Sequence, residues 1–249
     1  MDARVKVIFT LAFVIFLSLT PFSAWPAYIL FLTLILSVTL FTHLGLGFVL
    51  KRALLAVPFV LAAFPLIFIG APPHIPLFFL QGIQVSYSPE GLERFASIAL
   101  KSWISIQSAI LLAATTRFPD LLIALQQLRV PKLFIAIIGL MWRYLFVISE
   151  EVTRMLRART SRSATMPGSH HGGGTVFWRA KITGGMAGSL FLRSLERSDR
   201  VYAAMLSRGY TGELPTKDTK SLSNSDRFIL GLGLFLLVLL WVLGLLTGG

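Results

Sequence analysis

Apolar and polar residues divide this chain into long blocks. No Asp, Glu, Lys or Arg occurs within residues 7–50, 53–89 or 228–249. Uncharged apolar runs of about 18 or more residues are long enough to cross a bilayer as helices. A transmembrane β-barrel would show short segments of alternating polarity instead. The pattern therefore predicts an all-α, polytopic membrane protein with about five transmembrane helices and further cytoplasmic or interfacial helices.

The first span falls at about residues 7–19. Arg4 and Lys6 precede it, which places the N-terminus in the cytoplasm by the positive-inside rule. Residues 21–26 turn on the far side, where Trp25 and Tyr28 suit the interface. A second span covers 27–50, and Lys51 and Arg52 mark the return to the cytoplasm. A third covers 53–70 and is ended by Pro72, Pro73 and Pro76; residues 71–95 form an outer loop. The fourth span, 96–116, carries Lys101, Ser105, Ser108 and Thr115 at helical spacing, a stripe expected to face protein rather than lipid. Arg117 closes it on the cytoplasmic side.

Residues 119–131 place Leu121, Leu122, Leu125 and Leu128 on one helical face, with Pro119 and Asp120 in the first turn and Pro131 as a stop. This predicts a short amphipathic helix at the interface. Residues 133–148 are apolar but have basic residues on both sides: Arg129 and Lys132 before, Arg154, Arg157, Arg159 and Arg162 after. A crossing would put one cluster outside. The run is therefore predicted to lie obliquely in the inner leaflet and to continue into an arginine-rich helix. Residues 163–175, rich in Gly, read as a loop. Residues 176–206 read as two helices broken near Gly184 and Gly185, with Gly209 as a C-cap. A polar linker at 212–226 leads to a fifth span at 228–246. The predicted division is 1–117, a membrane region with four transmembrane helices; 118–226, a cytoplasmic or interfacial region with two arginine-bearing helices; and 227–249, a C-terminal transmembrane helix.

Composition sharpens this picture. The chain has 249 residues, 55% hydrophobic and only 14% charged, with a mean hydropathy of +0.76; soluble domains carry roughly 25% charged residues. The net charge is +12 and the pI about 10.7. Such basicity often marks nucleic-acid binding. Here the charge lies beside apolar runs, so membrane orientation and anionic lipid account for it and no nucleic-acid partner is expected. There is no cysteine. Residues 1–20 resemble a signal peptide but lack an A-x-A cleavage site, so they read as a retained span. Walker A, HExxH and GxSxG motifs are absent, and no catalytic residue, cofactor or metal site is expected. His170 and His171 lack ligand spacing and a nearby carboxylate; His43 and His74 read as structural.

Two basic helical stretches remain. The first, EEVTRMLRARTSR at 150–162, allows Glu150, Glu151 and Arg154 to pair within the helix, and from Arg154 to Arg162 it holds four arginines and no acid. The second, RSLERSDRVYAAMLSRGYTG at 193–212, interleaves Arg193, Arg197, Arg200 and Arg208 with Leu195, Val201 and Met205. An amphipathic helix of this kind can lie on lipid or in a protein groove.

Taken in order, TTRFPDLLIALQQLRVP, MWRYLFVISEEVTRMLRART and RSLERSDRVYAAMLSRGY resemble the T component of energy-coupling factor transporters, in the cobalt/nickel-type CbiQ family. Members carry Ala-Arg-Ser or Ala-Arg-Gly motifs at the ends of coupling helices. The first corresponds to Ala158-Arg159-Thr160 and the second to Ser207-Arg208-Gly209, with Thr and Ser as departures. The resemblance implies a non-catalytic scaffold of the cell membrane, its N-terminus and coupling helices cytoplasmic. Two ABC-type ATPases would seat Arg159 and Arg208, with Glu150, Glu151, Arg154 and Arg200 in support. A substrate-binding membrane subunit, for cobalt or nickel, would be the third partner. A self-sufficient permease or channel with basic cytoplasmic segments is the alternative; an intramembrane enzyme would need a catalytic constellation that the chain lacks.

Overall fold

A computed structural model describes residues 2–42, 45–67, 75–80, 83–162, 175–212 and 222–248. Its helices are α1 (Ala3–Leu19), α2 (Trp25–Phe41), α3 (Leu46–Ala53), α4 (Val57–Ala62), α5 (Pro89–Thr115), α6 (Phe118–Gln127), α7 (Lys132–Arg162), α8 (Val176–Leu206) and α9 (Asn224–Gly248). Short 3-10 segments lie at Leu54–Ala56 and Phe64–Ile67. One antiparallel hairpin pairs β1 (Ile75–Leu80) with β2 (Ile83–Tyr87). The helices α5, α7 and α9, of 27, 31 and 25 residues, are each long and apolar enough to cross a membrane, and α2 is a shorter apolar helix. The chain is a polytopic helical membrane protein. It divides into two compact units, Met1–Leu128 with Thr219–Gly249, and Arg129–Asp218.

The first unit has its core where α1, α2, α5 and α9 meet. Phe13 and Leu17, Tyr28, Phe31 and Ile35, Ile104 and Leu111, and Leu237 and Leu240 form one buried cluster. The Phe13 and Phe31 rings meet edge to face, centroids 5.5 Å apart, the arrangement favoured by the aromatic quadrupole. Within the predicted polar stripe of α5, Ser108 is buried, and Lys101, Ser105 and Thr115 are half-buried. Gln107 is buried as well, 1% exposed, and is not part of that stripe. α6 packs on α1, with Leu122 and Ala124 buried. It stops at Gln127, and Arg129 takes a left-handed φ of 67° ahead of Pro131. Leu128, predicted on the buried face, is therefore past the helix end and 39% exposed.

Three boundaries depart from the sequence expectation. The second predicted span ends early: α2 stops at Phe41, and Gly45, at φ 77°, precedes α3. Lys51 and Arg52 consequently sit in the last turn of α3, not in a loop. The third predicted span is a series of short helices over 46–67, not one rod. Pro58 and Pro65 explain this, since each lacks an N–H and its ring displaces the carbonyl one turn back. The outer loop contains the β1–β2 hairpin, and α5 begins at Pro89 rather than near 96. Ser88 accepts the Gly91 N–H, Pro89 opens the helix and Glu90 sits in its first turn. Together these are strong start signals.

The predicted loop at 163–175, except Thr175, most of the linker at 212–226, and His43, His74, His170 and His171 lie outside the described residues.

Candidate functional site

The second unit is an antiparallel pair, α7 and α8. Residues 132–148 of α7 are apolar throughout except for Lys132, Arg143 and Tyr144, and apart from the buried Ile135 most of their large side chains lie open: Ile137 is 46% exposed and Met141 64%. Only 6% of the apolar window of α7 is buried, against 28% for α5. The same helix runs on without interruption to Arg162. It has no internal proline and ends with Arg159 and Arg162 in its last turn, where cations offset the negative end of the helix dipole.

α8 opens on Thr175, whose side chain accepts the Trp178 N–H. Contrary to the sequence expectation, it does not break at Gly184 and Gly185; it is one helix of 31 residues. A helical glycine costs about 1 kcal/mol relative to alanine, which 31 continuous residues of backbone hydrogen bonding can absorb. At its far end the Tyr210 N–H donates to the Met205 carbonyl and the Gly209 N–H to the Leu206 carbonyl, both at 3.0 Å. This bond pair is the Schellman closure, which requires a left-handed residue, and Gly209 supplies it at φ 81°.

Polar links join the helices. Arg159 Nη1 donates to Thr183 Oγ1 at 3.0 Å. Glu151 accepts from Arg197 at 2.7 Å and from Arg193 at 3.4 Å. Between them runs a groove of about 900 Å³. Arg154, Arg159, Arg162, Arg193 and Arg197 line it against the single carboxylate of Glu151, over an apolar floor that includes Met155, Ile182 and Met186.

The sequence-predicted residues separate into two places. Ala158 and Arg159 line the groove; Thr160 is exposed, its hydroxyl donating to the Arg157 carbonyl. Ser207, Arg208 and Gly209 are exposed beyond the other end of α8. From Thr183, where Arg159 is held, to Leu206, α8 rises roughly 35 Å. Glu150 pairs with Arg154 at 2.6 Å, as helical spacing allows. Glu151 instead turns to α8. Arg200 reaches Glu196 at 4.0 Å on an exposed face. Thr183 and the Glu151–Arg193–Arg197 cluster were not legible as contacts, because pairing across two helices leaves no trace in local spacing.

A family described as "Cobalt transport protein" (CbiQ) matches residues 1–220. The chain is 30% identical over 168 residues to an uncharacterized protein of Methanocaldococcus jannaschii, covering 66% of this chain and 55% of that protein. The chain thus spans about half the length of this archaeal relative. It is 29% identical over 205 residues to the cobalt transport protein CbiQ of Rhodobacter capsulatus, covering 78% and 80% of the two chains. It is 26% identical over 257 residues to the energy-coupling factor transporter transmembrane protein EcfT of Ruminiclostridium cellulolyticum, covering 97% and 90%.

Proposed function

The chain belongs to the CbiQ family of cobalt transport proteins, transmembrane components of transporters, and from that premise we propose that it couples two ABC-type ATPases to a substrate-binding membrane subunit. The transported ion is cobalt or nickel, chosen by that subunit. The helices α7 and α8 lie on the cytoplasmic side of the cell membrane. ATP is bound and hydrolysed by the partner subunits and not by this chain.

One observation carries the reading. Arg159 and Arg208 stand at opposite ends of a single helix pair, separated by roughly 35 Å of α8. That distance is too large for one pocket and suits two separate docking sites, one on each ATPase. A guanidinium stays charged at any working pH and binds a carboxylate through a planar fork. The Ala158 and Gly209 neighbours are small, so they leave room for a groove to close around each arginine.

The same geometry supplies a lever. ATP-driven closure of the ATPases shifts Arg159 relative to Arg208. α7 is one helix from Arg159 back to Lys132, about 40 Å at the α-helical rise. Displacement at its arginine end therefore moves its exposed apolar half, which faces the substrate subunit or lipid and reorients that subunit.

The test is co-purification of the chain with its ATPases after Arg159→Glu and, separately, Arg208→Glu. Each is expected to weaken the complex about tenfold or more, the cost of losing a charge-assisted hydrogen bond in a buried site. Unchanged complex and transport in both variants would refute the assignment. Ion uptake by the purified chain alone, without ATP, would favour the self-sufficient permease.

A further inference from the structure

The α7–α8 groove holds five arginines and one carboxylate, and we infer that its Arg193–Arg197 edge binds the phosphate of an anionic phospholipid. Glu151 draws these two guanidiniums together and accepts a hydrogen bond from each. A guanidinium has five N–H donors, so most of their donor capacity remains. The side chain of Glu151 is 21% exposed, whereas Arg197 is 36% and Arg193 62% exposed. The carboxylate thus lies beneath the cations and fixes them side by side, with their remaining N–H donors left for an anion. Arg154 borders the same groove. This is a preorganised oxyanion site of the kind that arginine forms with phosphate.

The surroundings select a lipid over a free phosphate. The open apolar run of α7 ends with Leu145, Phe146 and Ile148, and Glu151 lies one turn further on. One turn is about 5.4 Å, the step from acyl chains to headgroup phosphates. On α8, Leu192 stands beside Arg193 and is 62% exposed, while Phe191 and Leu195 occupy the opposite face of the helix. Phosphate ligands one turn from the open apolar run of α7 match a headgroup with its chains attached. A soluble anion would leave that run in water. The site uses neither Arg159 nor Arg208, the two arginines assigned to the ATPases; it shares Glu151 and Arg154 with the support for Arg159, so it is tested with no ATPase present.

The experiment uses the purified full chain without ATPases, mixed with phosphatidylglycerol or phosphatidylcholine in detergent, with retained lipid counted by native mass spectrometry. The wild type is expected to retain phosphatidylglycerol in preference. The Arg193→Gln/Arg197→Gln double variant is expected to retain it about thirtyfold less tightly, from two lost basic contacts. Lys181→Gln, at an exposed cation of α8 that does not line the groove, should match the wild type. Arg193→Lys/Arg197→Lys keeps the charge without the fork and should fall between, which preserves the test if the glutamine variant does not fold. Equal retention of both lipids, wild-type retention by both double variants, or displacement of the lipid by inorganic phosphate would overturn the assignment. None of these outcomes bears on ATPase docking.

Discussion

Lys6 and Lys101 close the two ends of the α1–α5 pair. Lys6 Nζ donates to the Thr115 carbonyl at 2.8 Å, where α5 ends. Lys101 Nζ donates to the Ser18 and Thr20 carbonyls at 3.1 and 2.6 Å, where α1 ends. The last carbonyls of a helix have no donor within it, and hydrocarbon offers no water in its place. Each ammonium fills that role, which explains why a lysine sits in a transmembrane stripe. Lys101→Met is expected to destabilise the fold by about 1–3 kcal/mol, the cost of orphaned buried acceptors, read as a lower melting temperature of the purified chain. An unchanged melting temperature would mean that Thr20, 2% exposed, finds another donor. The sequence placed Lys101 on a protein-facing stripe. It did not reveal the partner, since that partner is main chain more than eighty positions away.

At the scale of elements, packing distinguishes helices that composition treats alike. On α9, a Cβ added at Gly244 would stand 2.9 Å from Thr20 Cγ2 and 3.2 Å from Ala27 Cβ, while one added at Gly231 would meet nothing within 4 Å. Small residues let membrane helices approach closely. Gly244→Leu should therefore cost about 1–3 kcal/mol through overpacking. Gly231→Leu should be neutral or gain up to about 1 kcal/mol of helix propensity. Thermal unfolding of the two variants side by side checks both; equal effects would place the α9 seam elsewhere. In the α7–α8 pair, the two neighbouring acids also differ. Glu151→Gln removes the carboxylate between Arg193 and Arg197, so the helices should separate, seen as a broadened distance distribution between spin labels at Thr153 and Ser198. Glu150→Gln loses only an exposed pair, with side chains 72% and 64% exposed for Arg154 and Glu150, which solvent screens. It should leave that distribution unchanged. Local spacing offered Arg154 to either acid; only the position of α8 assigns Glu151 away from it.

For the whole molecule, the arrangement of charge around 133–148 predicts the topology. Because the chain has no cysteine, single cysteines at Val130 and Ser161 give a clean test with a membrane-impermeant maleimide. Both are expected to react from the cytoplasmic face of sealed vesicles; labelling from opposite faces would show that α7 crosses. The amino-acid sequence alone determined that this is a helical membrane protein, because runs of uncharged residues of this length have no other stable place. It also determined the α9 span, the α6 amphipathic helix and the Gly209 stop, since these depend on residue type and near neighbours. The break over 46–67 and the continuity of α8 are also local matters, a proline effect and a modest glycine cost, which the apolar and glycine patterns masked. The tertiary structure decided that Glu151 bridges two helices and that Arg159 and Arg208 stand at opposite ends of one pair. Both outcomes are set by contacts between residues far apart in the chain, and composition read in order carries no term for them.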